Sequence, residues 1–125
     1  MAENLWPENF GELNVTTPVA ILRENATGLG DRTKNIVVAS VQPGSPSAPD
    51  KFRYLLYLRS GMLNYQMPLL YIEHGIELYP VEIRVEGVPD VQATNPEELL
   101  TRLKEIFSSE KTKKTIASLI AQAKG

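Results

Sequence analysis

The feature that most constrains the fold is the alternation of apolar and polar residues between Phe52 and Glu86. Three consecutive segments in this stretch place apolar, aromatic and β-branched side chains largely at every second position. A period of two is typical of β-strands, because successive side chains of a strand point to opposite faces. Turn-forming residues separate the segments, with Ser60 and Gly61 at the first boundary and Gly75 at the second. The pattern therefore predicts a β-meander.

Segments with helical signals flank the meander. Thr17 and Pro18 are typical of a helix start, because a threonine oxygen caps free amides and a proline at the first position loses no hydrogen bond. Asn95 and Pro96 repeat this signal after the meander, and two glutamates follow where the helix dipole favours negative charge. We therefore predict an α+β fold with one N-terminal and two C-terminal helices around a four-stranded, mainly antiparallel sheet.

The boundaries follow from turn residues and spacing. Gly28 and Gly30 predict where the first helix weakens, and we place the helix at 18–30, with an extension toward Thr33 as the alternative. The predicted strands cover 36–42, 52–59, 65–73 and 80–86, and the C-terminal helices cover 96–107 and 109–123.

Residues 1–16 differ from the rest of the chain. They combine apolar side chains, among them Trp6 and Phe10, with polar residues but show no sustained period. We predict an N-terminal arm at 1–16, whose aromatic residues pack on the domain or on a neighbouring subunit, followed by a single α+β domain at 17–125.

Prolines mark two positions in the sheet region. Three prolines fall between Gln42 and Asp50, and we predict an exposed connecting loop there. Pro68 stands within the third predicted strand and removes a backbone donor, which predicts that this strand lies at an edge of the sheet or contains a bulge.

Composition excludes several classes of protein. The chain has no cysteine, so disulfides, thiolate metal ligands and a cysteine nucleophile are ruled out. No apolar run approaches the roughly 20 residues that cross a bilayer, so we expect no membrane insertion. A secretory signal has a basic segment followed by an apolar one, and the N-terminus lacks this pattern. We expect a cytoplasmic protein.

Charge is unevenly distributed. Residues 60–100 contain seven acidic side chains and one basic one, whereas residues 101–125 contain six basic and two acidic side chains. This favours C-terminal helices that pack across the sheet with complementary charge, or surfaces with different partners. Lysines 111, 113 and 114 suggest phosphate binding, but the pI of about 5.4 and the lack of a recognised motif lead us not to expect a nucleic-acid partner.

One cluster could support chemistry. His74, the single histidine, stands beside Glu73 and near Glu77, and an imidazole between carboxylates can act as an acid and base. Such residues need not converge on a strand or tight turn, and the usual zinc motifs require a second histidine. We predict a solvent-facing turn for His74, no metal, no cofactor and no catalytic residues, with Glu73, His74 and Glu77 as the catalytic alternative.

All five tyrosines fall in the predicted sheet region. Tyrosine and arginine are enriched at protein interfaces, but tyrosine is also an ordinary sheet residue, so both interpretations stay open. The residues predicted for an interface are Tyr57, Tyr65, Tyr71, Tyr79, Arg53 and Arg59.

Two functional hypotheses result. The preferred one is a non-enzymatic protein-interaction or accessory module that forms a homodimer. The contact would be a sheet face or the edge of the third strand, because few helices are available to cover two partly apolar faces. The alternative is a small enzyme or ligand-binding protein with a site around Glu73, His74 and the sheet tyrosines, in which an arginine orients an anion.

Overall fold

The computed structural model describes residues 3–125. The fold is an antiparallel sheet with one helix before it and two after it in the chain. The strand order in the sheet follows the chain, β1-β2-β3-β4-β5. The predicted α+β architecture and its three helices are confirmed, but the sheet has five strands rather than four. The elements are α1 (Pro18–Thr33), β1 (Val38–Gly44), β2 (Phe52–Ser60), β3 (Tyr65–His74), β4 (Val81–Arg84), β5 (Val91–Ala93), α2 (Pro96–Phe107) and α3 (Glu110–Lys124).

The predicted helix starts are confirmed. The hydroxyl of Thr17 accepts a hydrogen bond from the backbone N–H of Ala20 at 3.2 Å, and the side-chain oxygen of Asn95 accepts one from Glu98 N–H at 2.8 Å. Helix α1 extends beyond Gly30 to Thr33, which confirms the longer of the two predicted alternatives. It stops where Lys34 adopts a left-handed conformation with φ of 54° and donates its N–H to the Gly30 carbonyl.

The bounds of the four predicted strands differ from the prediction by at most two residues, and a fifth strand was not predicted. Strand β1 includes Pro43, although the sequence predicts a loop at this residue. An edge strand has one side without a partner strand and tolerates a residue that cannot donate there. Strand β5 was missed, because the three residues of Val91–Ala93 are too few to show a period of two. It forms only by pairing with β4.

Pro68 lies in an interior strand. Strand β3 is third in the five-strand order, so the predicted edge position is wrong, and the predicted bulge is confirmed. Leu56 pairs with Leu70, but the next residue, Tyr57, pairs with Pro68, which leaves Leu69 as the extra residue of the bulge. The third strand therefore has no free edge, and the edges belong to β1 and β5.

The buried residues of all three helices pack against one face of the sheet. We call this the covered face; it bears Leu56, Ile72 and Ile83 and contacts Leu22 of α1 and Leu99 of α2. A second cluster continues the core under α3, where Leu119 packs on Val37 and Leu58. The opposite side of the sheet is called the open face below.

The Thr33 hydroxyl joins α1 to the segment that leads into β1. It donates to the Val37 carbonyl at 2.6 Å and accepts from the Val37 N–H at 3.2 Å, and it is only 9% exposed. A buried backbone group that loses its partner destabilises the folded state by about 1–3 kcal/mol.

Thr33→Val should therefore lower the free energy of unfolding by about 1–3 kcal/mol, because valine keeps the shape but leaves both Val37 groups without this partner. Urea denaturation measures the change. Thr27→Val on the same helix is the control, since its exposed hydroxyl donates only to the Glu24 carbonyl, and we expect a change within about 0.5 kcal/mol. Equal losses in both variants would contradict this role of Thr33.

Candidate interaction surface on the open face

Alternation along β2 and its pairing with β3 define the open face. Arg53, Leu55 and Tyr57 point away from the helices, and their partners across the ladder are Glu73, Tyr71 and Pro68. The side chains of Leu55, Tyr57 and Tyr71 are half-buried, and Pro68 is exposed. Within residues 3–125 no helix packs against this face. The open face therefore combines apolar and aromatic surface with charge.

Two arginines approach the ring of Tyr71. The guanidinium carbon of Arg53 lies 4.0 Å from the ring centroid, and that of Arg84 lies 5.9 Å away. A guanidinium over an aromatic face is attracted by the negative potential of the ring. These contacts hold Tyr71 and both arginines in a fixed arrangement at the centre of the open face.

Glu73 is the most buried charged residue of the open face, with 5% of its surface exposed. Arg53 Nε donates to its carboxylate at 2.8 Å, and Ser47 donates both its N–H, at 3.3 Å, and its hydroxyl. These donors offset the repulsion from Glu82, which lies directly opposite on β4. Glu73 thus fixes the β1–β2 loop over one end of the open face.

The same contacts control the ionisation of Glu73. Burial raises the pKa of the Glu73 carboxyl, but hydrogen bonds from Ser47 and Arg53 lower it by more, so this pKa lies below its usual value of 4.5. The ionised carboxylate has its acceptor sites occupied by donors from the protein. Sequence reasoning missed the role of Ser47, because it stands 26 residues before Glu73 in a proline-rich loop.

His74 lies on the covered face and not in a solvent-facing turn, so that prediction is wrong. It is the last residue of β3, is 5% exposed, and stacks on Phe52 and Tyr54 at centroid distances of 5.7 and 6.1 Å. Its Nδ1 lies 2.7 Å from the Gly75 carbonyl and donates to it, because a carbonyl can only accept. The Nε2 atom is buried without a hydrogen-bond partner in residues 3–125.

The structure does not bring the alternative catalytic residues together. Glu73 and His74 are neighbours on a strand and point to opposite faces of the sheet. Glu77 is exposed in the loop that follows. Within residues 3–125, no group of three histidine, aspartate or glutamate side chains is placed to hold a metal ion.

Four of the six predicted interface residues share the open face, and two lie elsewhere. Tyr65 begins β3 beside α3, and Tyr79 precedes β4, where its hydroxyl donates to the Thr16 carbonyl at 2.9 Å. Burial raises the pKa of Tyr79, and the negative charge of Glu97 adds to the shift. The four residues on the open face are Arg53, Tyr57, Arg59 and Tyr71.

Charge divides the open face into two halves. The basic half lies on β2 and carries Arg53 and Arg59; Arg59 is exposed and forms no ion pair with any residue in 3–125. The acidic half lies on β4 and the turn after it. It carries Glu82, Glu86 and Asp90 around Arg84, which forms ion pairs of 3.4 Å with Glu82 and 3.2 Å with Asp90.

A shallow groove of about 320 Å³ lies beside the acidic half. Its floor is apolar and includes Leu55, Pro68 and Tyr71, while Arg84 and Asp90 line its polar side. An apolar floor with a few polar groups at the margin is typical of the sites that hold anchor residues of a protein partner.

The open face thus combines an apolar groove with charged margins on the side of the sheet that the helices leave uncovered. Among residues 3–125, no helix combines the length and the apolar character that crossing a bilayer requires. Comparison of the chain with protein-family models, with curated proteins and with solved structures found no match.

Proposed function

We propose that this protein is a non-enzymatic interaction module that associates with a second copy of itself through the open face. The observation that carries the proposal is the one-sided packing of the helices: all three cover one face and leave Leu55, Tyr57 and Tyr71 on the other. Exposed apolar surface that the fold does not cover is typical of interaction sites.

The composition and size of the open face suit a protein partner. Tyrosine and arginine are enriched at interfaces, and this face presents two tyrosines and three arginines. The five strands contain seven, nine, ten, four and three residues. At about 3.3 Å per residue and about 4.8 Å between strands, their backbone covers about 500 Å². With its side chains, such a face approaches the roughly 800 Å² per partner of a standard interface.

The charge distribution favours a second copy as the partner. In a two-fold symmetric pair the same patch faces itself, and when the two-fold axis runs along the boundary between the two halves, each half meets the opposite half of its counterpart. Under that symmetry the basic half, with its unpaired Arg59, can lie over the acidic half of the second copy. Complementary charge of this kind fixes register and excludes other partners.

Sedimentation equilibrium of the full chain tests the proposal. We expect a dimer at micromolar concentration, weakened by added salt because charges at the rim are screened. Arg59→Glu should raise the dissociation constant by about tenfold or more, since it places like charges opposite each other. Arg23→Glu is the matched control: it makes the same charge change at an exposed position of α1, in the helical layer, and should leave the dissociation constant unchanged.

Two results would contradict the proposal. One is a strict monomer throughout the micromolar range. The other is an equal effect of the Arg59 and Arg23 substitutions, which would trace the change to net charge and not to the open face.

A further inference from the structure

The N-terminal arm, here residues 3–16, exposes its apolar side chains. Leu5, Trp6, Phe10 and Leu13 are 75–88% exposed, and the rings of Trp6 and Phe10 lie 6.3 Å apart. The arm meets the domain at its base, where the Thr16 carbonyl accepts from the Tyr79 hydroxyl. Burying apolar side chains is favourable, and these four remain in water, so the arm favours any surface that covers them.

The arm is also acidic. It carries glutamates 3, 8 and 12 and no basic residue. A surface that receives it must combine apolar area with positive charge, because apolar area alone leaves the three carboxylates without partners.

One groove of the domain has both properties. It lies between α3 and the β2–β3 hairpin, has a volume of about 760 Å³, and we call it the hairpin groove. Leu63, Tyr65, Met67 and Leu119 supply its apolar lining, and Lys114 is its single charged residue. Its remaining lining residues are the polar Thr115, Ser118 and Gln122. No carboxylate lines the groove, and the surrounding segment 101–125 has an excess of basic residues.

The arm is too short to place both of its aromatic side chains in the hairpin groove of its own chain. The base of the arm lies near Tyr79, which precedes β4 at the end of the sheet where β3 stops. The hairpin groove lies at the other end, where β3 begins with Tyr65. The ten residues of β3 separate these points by roughly 30 Å. Phe10 stands six residues from Thr16 and reaches at most about 20 Å, so it stops short of the groove. Trp6 stands ten residues from Thr16 and reaches about 35 Å only when the arm is fully extended.

We propose that the N-terminal arm of one copy docks in the hairpin groove of a second copy, with Trp6 and Phe10 as anchors and Lys114 facing the arm's glutamates. This inference rests on the proposed self-association and names a further contact within it. Reciprocal exchange of two arms closes the assembly as a dimer. Aromatic anchors in a pocket are the residues that carry most of the binding energy at interfaces.

Tryptophan fluorescence of the full chain tests the docking directly, because Trp6 is the single tryptophan. We expect a blue-shifted emission at micromolar concentration that moves to the emission of exposed tryptophan on dilution to nanomolar concentration. This transition should follow the dissociation measured by sedimentation on the same samples.

Two substitutions on α3 locate the site. Lys114→Glu should shift the midpoint of the fluorescence transition to about tenfold higher concentration or more, because it opposes the glutamates of the arm. Lys113→Glu is the matched control, with the same charge change at the neighbouring exposed position, whose pair with Glu110 spans 3.7 Å and is weak. Its midpoint should not change.

The outcomes separate this inference from the proposed function. A dimer in which Trp6 keeps the emission of exposed tryptophan overturns arm docking and leaves the open face as the interface. Blue-shifted emission in the monomer at nanomolar concentration also overturns it, because the arm would then pack on its own chain. In a third outcome the arm docks in a dimer, and Arg59→Glu does not weaken that dimer. This outcome upholds arm exchange and overturns the open face as the interface. A monomer at every concentration overturns both.

Discussion

Replacing Tyr57 with glutamate is expected to abolish self-association at micromolar concentration while leaving the fold intact. Tyr57 lies on the open face, half-buried, two residues from Arg59 on the same strand. In the free monomer the new carboxylate stays in water near an arginine, so the effect on folding should remain below about 1 kcal/mol. In the dimer it would be buried and would face the acidic half of the second copy. We expect a loss of about 3 kcal/mol or more in association, roughly a hundredfold in the dissociation constant.

Sedimentation equilibrium measures the association, and urea denaturation confirms the fold. Tyr57→Phe keeps the ring and should change the dissociation constant only a few-fold. Leu100→Glu places the same charge at an apolar side chain of α2 that is 47% exposed, in the helical layer, and should leave association unchanged. If Tyr57→Glu dimerised as tightly as the unmodified chain, the open face could not be the interface.

Glu73→Gln is expected to produce the largest change in stability on the open face. Glutamine keeps the shape and one acceptor oxygen but removes the charge that Arg53 and Ser47 bind. A buried charged group that loses its partner lowers the free energy of unfolding by more than an exposed one does, and the side chain of Arg53 is itself only 23% exposed. We expect a loss of about 1–3 kcal/mol at neutral pH, measured by urea denaturation.

The same variant should change the dependence of stability on pH. Because the pKa of Glu73 is lower in the folded state than its unfolded value of 4.5, the unfolded chain binds this proton first as the pH falls. The stabilisation from ionised Glu73 is therefore complete above about pH 4.5 and disappears as the pH falls through its lowered value. The difference between the unmodified chain and Glu73→Gln should shrink over this acidic range.

Glu82→Gln is the control for that experiment. Glu82 lies directly opposite Glu73 on β4. The ion pair between Glu82 and Arg84 is long, at 3.4 Å, and both side chains are about 40% exposed. Exposed pairs of this kind contribute between zero and about 1 kcal/mol, so the control should be nearly neutral. A similar loss in both variants, or a difference for Glu73→Gln that persists at acidic pH, would contradict the role assigned to the Glu73 carboxylate.

Part of the open face could be predicted from the sequence. Alternation in β2 places Arg53, Tyr57 and Arg59 on one side of the strand whatever the rest of the chain does. Tyr71 joins them because the pairing of β2 and β3 brings it opposite Leu55. Tyr65 and Tyr79 were assigned to the same surface only because they are tyrosines near the sheet, and neither belongs to it.

The acidic and basic halves of the open face needed the structure. Asp90 stands six residues after Arg84 in the chain, and their ion pair forms because the turn after β4 folds back over the sheet. The bond between Ser47 and Glu73 depends likewise on a loop that crosses the end of β3. Neither contact leaves a period or a motif in the sequence.

The amino-acid sequence by itself determined the local elements: the strands with a clear period of two and the helix starts at Thr17 and Asn95. These depend on interactions within a few residues, which the local sequence specifies directly. At Pro68 it predicted an edge or a bulge, and the structure decided for the bulge. Only the tertiary structure decided that β3 is interior, that His74 is buried, and that all three helices share one face. Those features depend on contacts between residues far apart in the chain, where the gain from burying apolar surface selects among several arrangements that satisfy the local pattern equally well.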